Sequence, residues 1–239
     1  MSSLVLVRHA QASFLSDDYD KLSGGGQRQA RRLAEYWVQQ NVAFDLVFTG
    51  PRERHRQTAE LVSGYYRDAG LPWTDTVELP ELDEHHLDQF VSESINAASD
   101  VLPEIRPLVE QLADSRTEEE KHRSFQRLFE AVARLWIEDA PYTAGIESWR
   151  EFQDRVRRAI GTMRNGQDRG RRIVAFTSVG PITIALQLAL HGTDRTALEL
   201  GWRLRNCSLT EFVFTKDRFT LDSFNGIPHL DDSTLRTYR

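Results

Sequence analysis

Three short apolar runs, each ending in a polar turn and each followed by helical spacing, most tightly limit what this chain can fold into. The runs are LVLV (Leu4 to Val7), FDLVFT (Phe44 to Thr49) and RRIVAFTS (Arg171 to Ser178). Continuous apolar character is what a strand needs when both its faces are covered, as in a sheet lying between two helix layers. After the first run, Ala30, Leu33, Ala34, Trp37 and Val38 recur at i, i+3, i+4, i+7 and i+8, which gives a helix with one buried stripe. After the second, Pro51 stands where a helix through RERHRQTAELVSGYYRDAG begins; after the third, Pro181 opens an apolar helix reaching about His191. Strands alternating with helices need long crossovers and therefore run parallel. The expected fold class is α/β, three layers in the order α/β/α, with a mainly parallel sheet flanked by helices. LTEFVF and RFTLDSF, joined by a polar turn at Lys216-Asp217, predict a hairpin at a sheet edge.

From about 88 to 147 the alternation stops. Phe125, Leu128, Phe129, Val132, Leu135 and Trp136 keep helical spacing, SWRE (Ser148 to Glu151) matches a capping box, and the charge run RTEEEKHR reads as a solvated helix start. This stretch is expected to be a helical insertion in a single domain of residues 1–239, since no linker interrupts the sequence. A formal charge of -6 argues against a general nucleic-acid binder, which would carry a basic face. Cys207 is the only cysteine, so no internal disulfide framework exists. No apolar run approaches the roughly 20 residues of a membrane span, and the first ten residues lack a signal layout. The expectation is a cytoplasmic protein without membrane or nucleic-acid partners, either monomer or homodimer.

In an open parallel sheet, ligands bind beyond the carboxyl ends of the strands. Here those ends carry Arg8-His9 after the first run, Arg54 in the helix after the second, and TSVGP (Thr177 to Pro181) after the third. Helix N-termini favour an anion, and guanidinium groups match phosphate oxygens in a bidentate fork. An imidazole among cations is biased to its neutral form, with one nitrogen lone pair available to attack phosphorus. A departing alcohol then needs a proton donor, and PELDEHHLD (Pro80 to Asp88) offers Glu84 as general acid and, for water, general base. The same cluster is contiguous and lacks a defined ligand spacing, so no metal site is expected. FTSVGP lacks the glycine two residues before the serine of a hydrolase elbow, which argues against Ser178 as a nucleophile.

These residues are similar to those of the histidine phosphatase, or phosphoglycerate mutase-like, superfamily. Arg8-His9-Ala10 resembles its Arg-His-Gly signature, and RHAQASF…YDKLSGGGQRQA resembles a bacterial branch, with Gly26 at the glycine that opens the first helix. RERHRQTAE resembles the second-arginine motif and assigns phosphate binding to Arg54; ELDEHHLD resembles the acid-donor segment and assigns Glu84, although a frequent glycine is Asp88 here. SFNGIPHL (Ser223 to Leu230) resembles the family's ending.

The family usually carries a second histidine at the third strand end, where this chain has Ser178 in FTSVGPI. The resemblance thus implies His9 as nucleophile, Glu84 for protons, and Arg8, Arg54 and Ser178 around the phosphoryl group, with the insertion roofing the site. A serine brings no positive charge, and one lost oxyanion donor typically costs about 100- to 1000-fold in rate. Compensation is open among Ser178 itself, backbone N–H groups, His55 and His85. The expected activity is hydrolysis of a small phosphomonoester without cofactor or metal. Mutase-type phosphotransfer, or a catalytically weak protein that binds a phosphorylated ligand, are the alternatives.

Overall fold

The computed structural model of the chain describes residues 1–13, 20–87, 103–138, 147–165 and 170–238. It forms two compact units, one from Met1–Glu84 with Arg155–Arg239 and the other from His85–Asp154. In chain order the elements of the first part are β1 (Ser2–Arg8), α1 (Gly24–Gln39), β2 (Leu46–Thr49), α2 (Glu53–Asp68) and β3 (Thr76–Glu78). Then come α3 (Arg106–Ala113), α4 (Glu118–Ile137), α5 (Trp149–Arg164), β4 (Arg172–Thr177), α6 (Val179–Leu190), α7 (Asp194–Gly201), β5 (Leu209–Phe214) and β6 (Phe219–Gly226).

The six strands form one mixed sheet in the order β3-β2-β4-β1-β5-β6. β1 to β4 are mutually parallel, β5 runs antiparallel to β1, and β6 antiparallel to β5. β4 is inserted between β1 and β2, so the chain direction across the sheet reverses beside β1, and the strand ends that carry Arg8-His9, Thr49-Gly50 and Thr177-Ser178 lie side by side. The register fixes this, because Arg8 pairs with Thr177 and Thr49 with Phe176.

Alternation along the strands divides the core. Val5, Val7, Val47, Val174, Phe176 and Leu209 face α1 and α2, which meet them with Ala30, Leu33, Trp37, Ala59, Val62 and Tyr66. Leu4, Leu6, Ile173, Ala175 and Phe212 point the other way and are equally buried. On that side α6 contacts β1 and β6, and Arg164 at the end of α5 lies over the Phe214 and Phe219 rings. α6 is apolar nearly all round, with Ile182 to Leu186 buried, as a helix covered on every side must be. Two elements escape the sequence reading. β3 has three exposed residues and no apolar run of its own, and α7 is only eight residues long.

The second unit is built on an aromatic cluster. Trp136 meets Trp149 and Phe152 at ring-centroid distances of 5.0 and 5.5 Å, and its indole N–H donates to the Glu147 carbonyl at 2.8 Å. α4 starts at a capping box made by Thr117 and Glu120, and the Ser148–Glu151 box forms at the start of α5. Among the described residues no helix is long and apolar enough to cross a membrane.

Candidate active site

Each side chain singled out at a strand end is positioned by backbone contacts that the sheet register dictates. The His9 N–H donates to the Thr177 carbonyl at 2.8 Å, continuing the β1–β4 ladder one residue beyond the strand, and its carbonyl accepts from the Cys207 N–H. The His9 ring is 7% exposed. Its Nδ1 lies 2.8 Å from the Ala10 carbonyl oxygen. A carbonyl can only accept, so Nδ1 carries the ring proton and Nε2 of the neutral imidazole carries the lone pair. Neutrality is enforced by burial first, then by the Arg54 and Arg8 charges and the His55 ring; against the opposing Ala10 carbonyl they hold His9 well below the ordinary imidazole value. Both arginines therefore act on the same ring.

Arg8 and Arg54 are themselves buried, at 7% and 5% exposure. Arg8 Nη1 donates to the Leu204 and Tyr238 carbonyls at 2.6 and 2.7 Å, so one edge of this guanidinium anchors the C-terminal segment. Arg54 Nη1 donates to Asp20 Oδ1 at 2.6 Å, and Asp20 Oδ2 accepts from the Glu53 N–H, fastening the start of α2 to the chain before α1. The turn leaving β1 is tied to the same helix, because the Ala10 N–H donates to Thr58 Oγ1, which in turn donates to the Arg54 carbonyl. Gly26 makes this packing possible, since a Cβ there would lie 2.1 Å from the Gln11 carbonyl oxygen.

Glu84 reaches the N-terminus of α6, where the Gly180 N–H donates to Oε1 at 3.0 Å. Its segment is held from three directions. Arg155 Nη1 donates to the Glu81 and Asp83 carbonyls, each at 2.9 Å, Thr177 Oγ1 donates to the Leu82 carbonyl at 2.7 Å, and Arg52 pairs with Asp83. Ser178 is the N-cap residue of α6, fully buried, and its Oγ lies 2.6 Å from His55 Nε2. The His55 and His9 ring centroids are 5.7 Å apart.

The strand ends thus bring His9, Arg8, Arg54, Ser178 and Glu84 into one region of the first unit, together with His55. His85 packs among Phe129, Trp136 and Phe152 in the second unit, and Asp88 falls outside the described residues. Asp20 and Arg155 were not singled out from sequence. Nothing in their spacing marks them, since their partners lie 34 and more than 70 positions away. Among the described residues no three His, Cys, Asp or Glu side chains converge as metal ligands.

A doubly covered, mostly parallel sheet with a neutral imidazole between two arginines beyond its strand ends is a class of protein built to hold an anion against a nitrogen lone pair. Residues 4–104 and 108–226 match the model of the histidine phosphatase superfamily (branch 1), and the chain belongs to that family. No curated protein matches it by sequence. Its fold is similar to that of a phosphoserine phosphatase mutant from Entamoeba histolytica in complex with phosphoserine, at TM-score 0.63 and 17% identity, covering 96% of this chain and 100% of that one. A phosphoglycerate mutase from Bacillus anthracis superposes at TM-score 0.63 and 18% identity, covering 96% and 95% of the two chains. A mycobacterial glucosyl-3-phosphoglycerate phosphatase gives TM-score 0.63 at 19% identity, covering 94% and 98%. At such identities these likenesses establish the fold.

Proposed function

We propose that the protein hydrolyses a small phosphomonoester through a phosphohistidine at His9. The observation that carries this reading is the state of the His9 ring: neutral, with Nδ1–H committed to the Ala10 carbonyl and the Nε2 lone pair held in the field of Arg8 and Arg54. In the first step Nε2 attacks phosphorus, the ester P–O bond breaks, and the leaving oxygen takes a proton from the Glu84 carboxyl. In the second, water attacks the phosphoryl group, Glu84 takes its proton, and the P–N bond breaks to return the lone pair to Nε2. The arginines hold the phosphoryl oxygens as charge builds on them, and Ser178 donates from the end of β4. No step calls for a cofactor.

The purified protein is expected to release phosphate from p-nitrophenyl phosphate in the presence of EDTA. Quenching in alkaline detergent with radiolabelled substrate is expected to trap a base-stable phosphoenzyme that acid then hydrolyses and that His9→Ala does not form. Full activity in His9→Ala refutes the role of His9, and a coupled mutase assay that turns over without phosphate release refutes hydrolysis.

A further inference from the structure

The end of β4 carries a hydrogen bond that the two-step scheme leaves unused. His55 Nε2 and Ser178 Oγ are 2.6 Å apart and join residues 123 positions apart, both at 0% exposure. The ring has a place prepared for it: a Cβ on Gly50 would lie 2.4 Å from His55 Nδ1, so only glycine at the β2 end lets the imidazole lie against the backbone. A serine at a helix N-cap ordinarily spends its oxygen on the first-turn N–H groups. Ser178 makes no such bond, and His55 is its hydrogen-bond partner.

Burial, then the Arg54, Arg52 and Arg56 charges, keep His55 neutral against the opposing Gly50 carbonyl. A neutral imidazole has one N–H and one lone pair, and a serine hydroxyl has one proton and two lone pairs. An anion seated beside His9 offers acceptors alone, so the Ser178 proton goes to it and His55 must then donate from Nε2–H to Oγ. Placing the proton on Nε2 breaks no hydrogen bond of good geometry, because Nδ1 makes none among the described residues, and gives up only the weak pull of the Gly50 carbonyl. A hydroxyl that accepts one bond also donates the next more strongly.

We propose that His55 is a positioning residue that fixes the Ser178 hydroxyl as a donor to the anion seated at His9, Arg8 and Arg54. The two side chains form one uncharged donor supplied from two elements. This rests on the phosphatase reading above, and it adds that the β4 donor is a relay.

The test uses the full chain, turnover of p-nitrophenyl phosphate, and inhibition by orthovanadate. His55→Phe keeps the ring volume without a donor, and His55→Gln restores an N–H near the Nε2 position. Ser178→Ala and His55→Phe are each expected to lower kcat/KM and weaken vanadate inhibition about 10- to 100-fold. The double variant is expected to be no worse than the weaker single by more than about threefold. His55→Gln is expected to return vanadate affinity to within about threefold of wild type. His55→Asn, whose amide stops short of Ser178, gives the same loss as His55→Phe and replaces it if that variant does not fold.

Losses that multiply in the double variant, or wild-type behaviour in His55→Phe or its replacement, overturn the relay while leaving the phosphatase reading intact. A wild-type protein that neither turns over nor binds vanadate overturns both.

Discussion

Acid should destabilise this protein well before its carboxylates protonate, because three buried histidines resist protonation in the fold. His9 and His55 are held well below the ordinary imidazole value, by burial first and then by arginine charges. His229 is pushed down to about 4 by burial, against the opposing Cys207 backbone, with neither ring nitrogen in a hydrogen bond of good geometry among the described residues and its ring 6.3 Å from that of Tyr36. In the unfolded chain all three titrate near about 6.5. As pH falls below that value, the unfolded state takes up protons that the folded state refuses, so stability drops with pH until the folded-state values are reached. Between pH 7.5 and 5.5 the His229 imidazole alone costs about 1.4 kcal/mol, and His9 and His55 add losses of the same sign.

Even the His229 share is a noticeable part of the total for a domain, which is usually about 5–15 kcal/mol. Urea unfolding followed by circular dichroism at pH 7.5, 6.5 and 5.5 measures the loss, and His229→Phe is expected to reduce it by about 1.4 kcal/mol. Stability flat to within about 1 kcal/mol over this range, or an unchanged slope in His229→Phe, refutes the claim that these imidazoles stay neutral in the fold.

Two further substitutions separate the parts of the site. Gly50→Ala puts a methyl group 2.4 Å from His55 Nδ1 and 2.8 Å from the Leu82 carbonyl oxygen; it is expected to cost about 1–3 kcal/mol by overpacking, read as a lower urea midpoint, and to reduce turnover along with it. Arg155→Ala removes the donor that spans the Glu81 and Asp83 carbonyls and so loosens the segment carrying Glu84. Its kcat is expected to fall about 10-fold, a fraction of the roughly 100- to 10,000-fold that a well-placed general acid supplies, while KM for p-nitrophenyl phosphate stays within about twofold; a raised KM with unchanged kcat would show that Arg155 serves binding.

The strands that hold the site were legible because both their faces are covered. Leu4 to Val7 and Ile173 to Phe176 read as unbroken apolar runs, and the helices after them announce themselves by spacing or proline. β3 was not legible, because a short strand with all three residues exposed has no pattern to show. Arg8, His9, Arg54 and Ser178 could be singled out since each follows a recognisable element, and Glu84 because its acidic segment resembles the family's acid-donor motif. What holds them could not, because Asp20 against Arg54, Arg155 against the Glu81 and Asp83 carbonyls, and His55 against Ser178 are meetings made by crossovers, with no local spacing to record them. The Arg8 bonds to the Leu204 and Tyr238 carbonyls are of the same kind.

The placement of β1 in the sheet has a cost during synthesis. Both neighbours of this first strand, β4 and β5, come from the last third of the chain, and the Ser2 hydroxyl waits for the Arg171 N–H, 169 positions later. A nascent chain emerging N-terminus first therefore displays a sticky, unzipped Leu4 to Val7 edge while most of the protein is still being made. Until β4 and β5 arrive, that unpaired apolar edge is open to pairing with other chains.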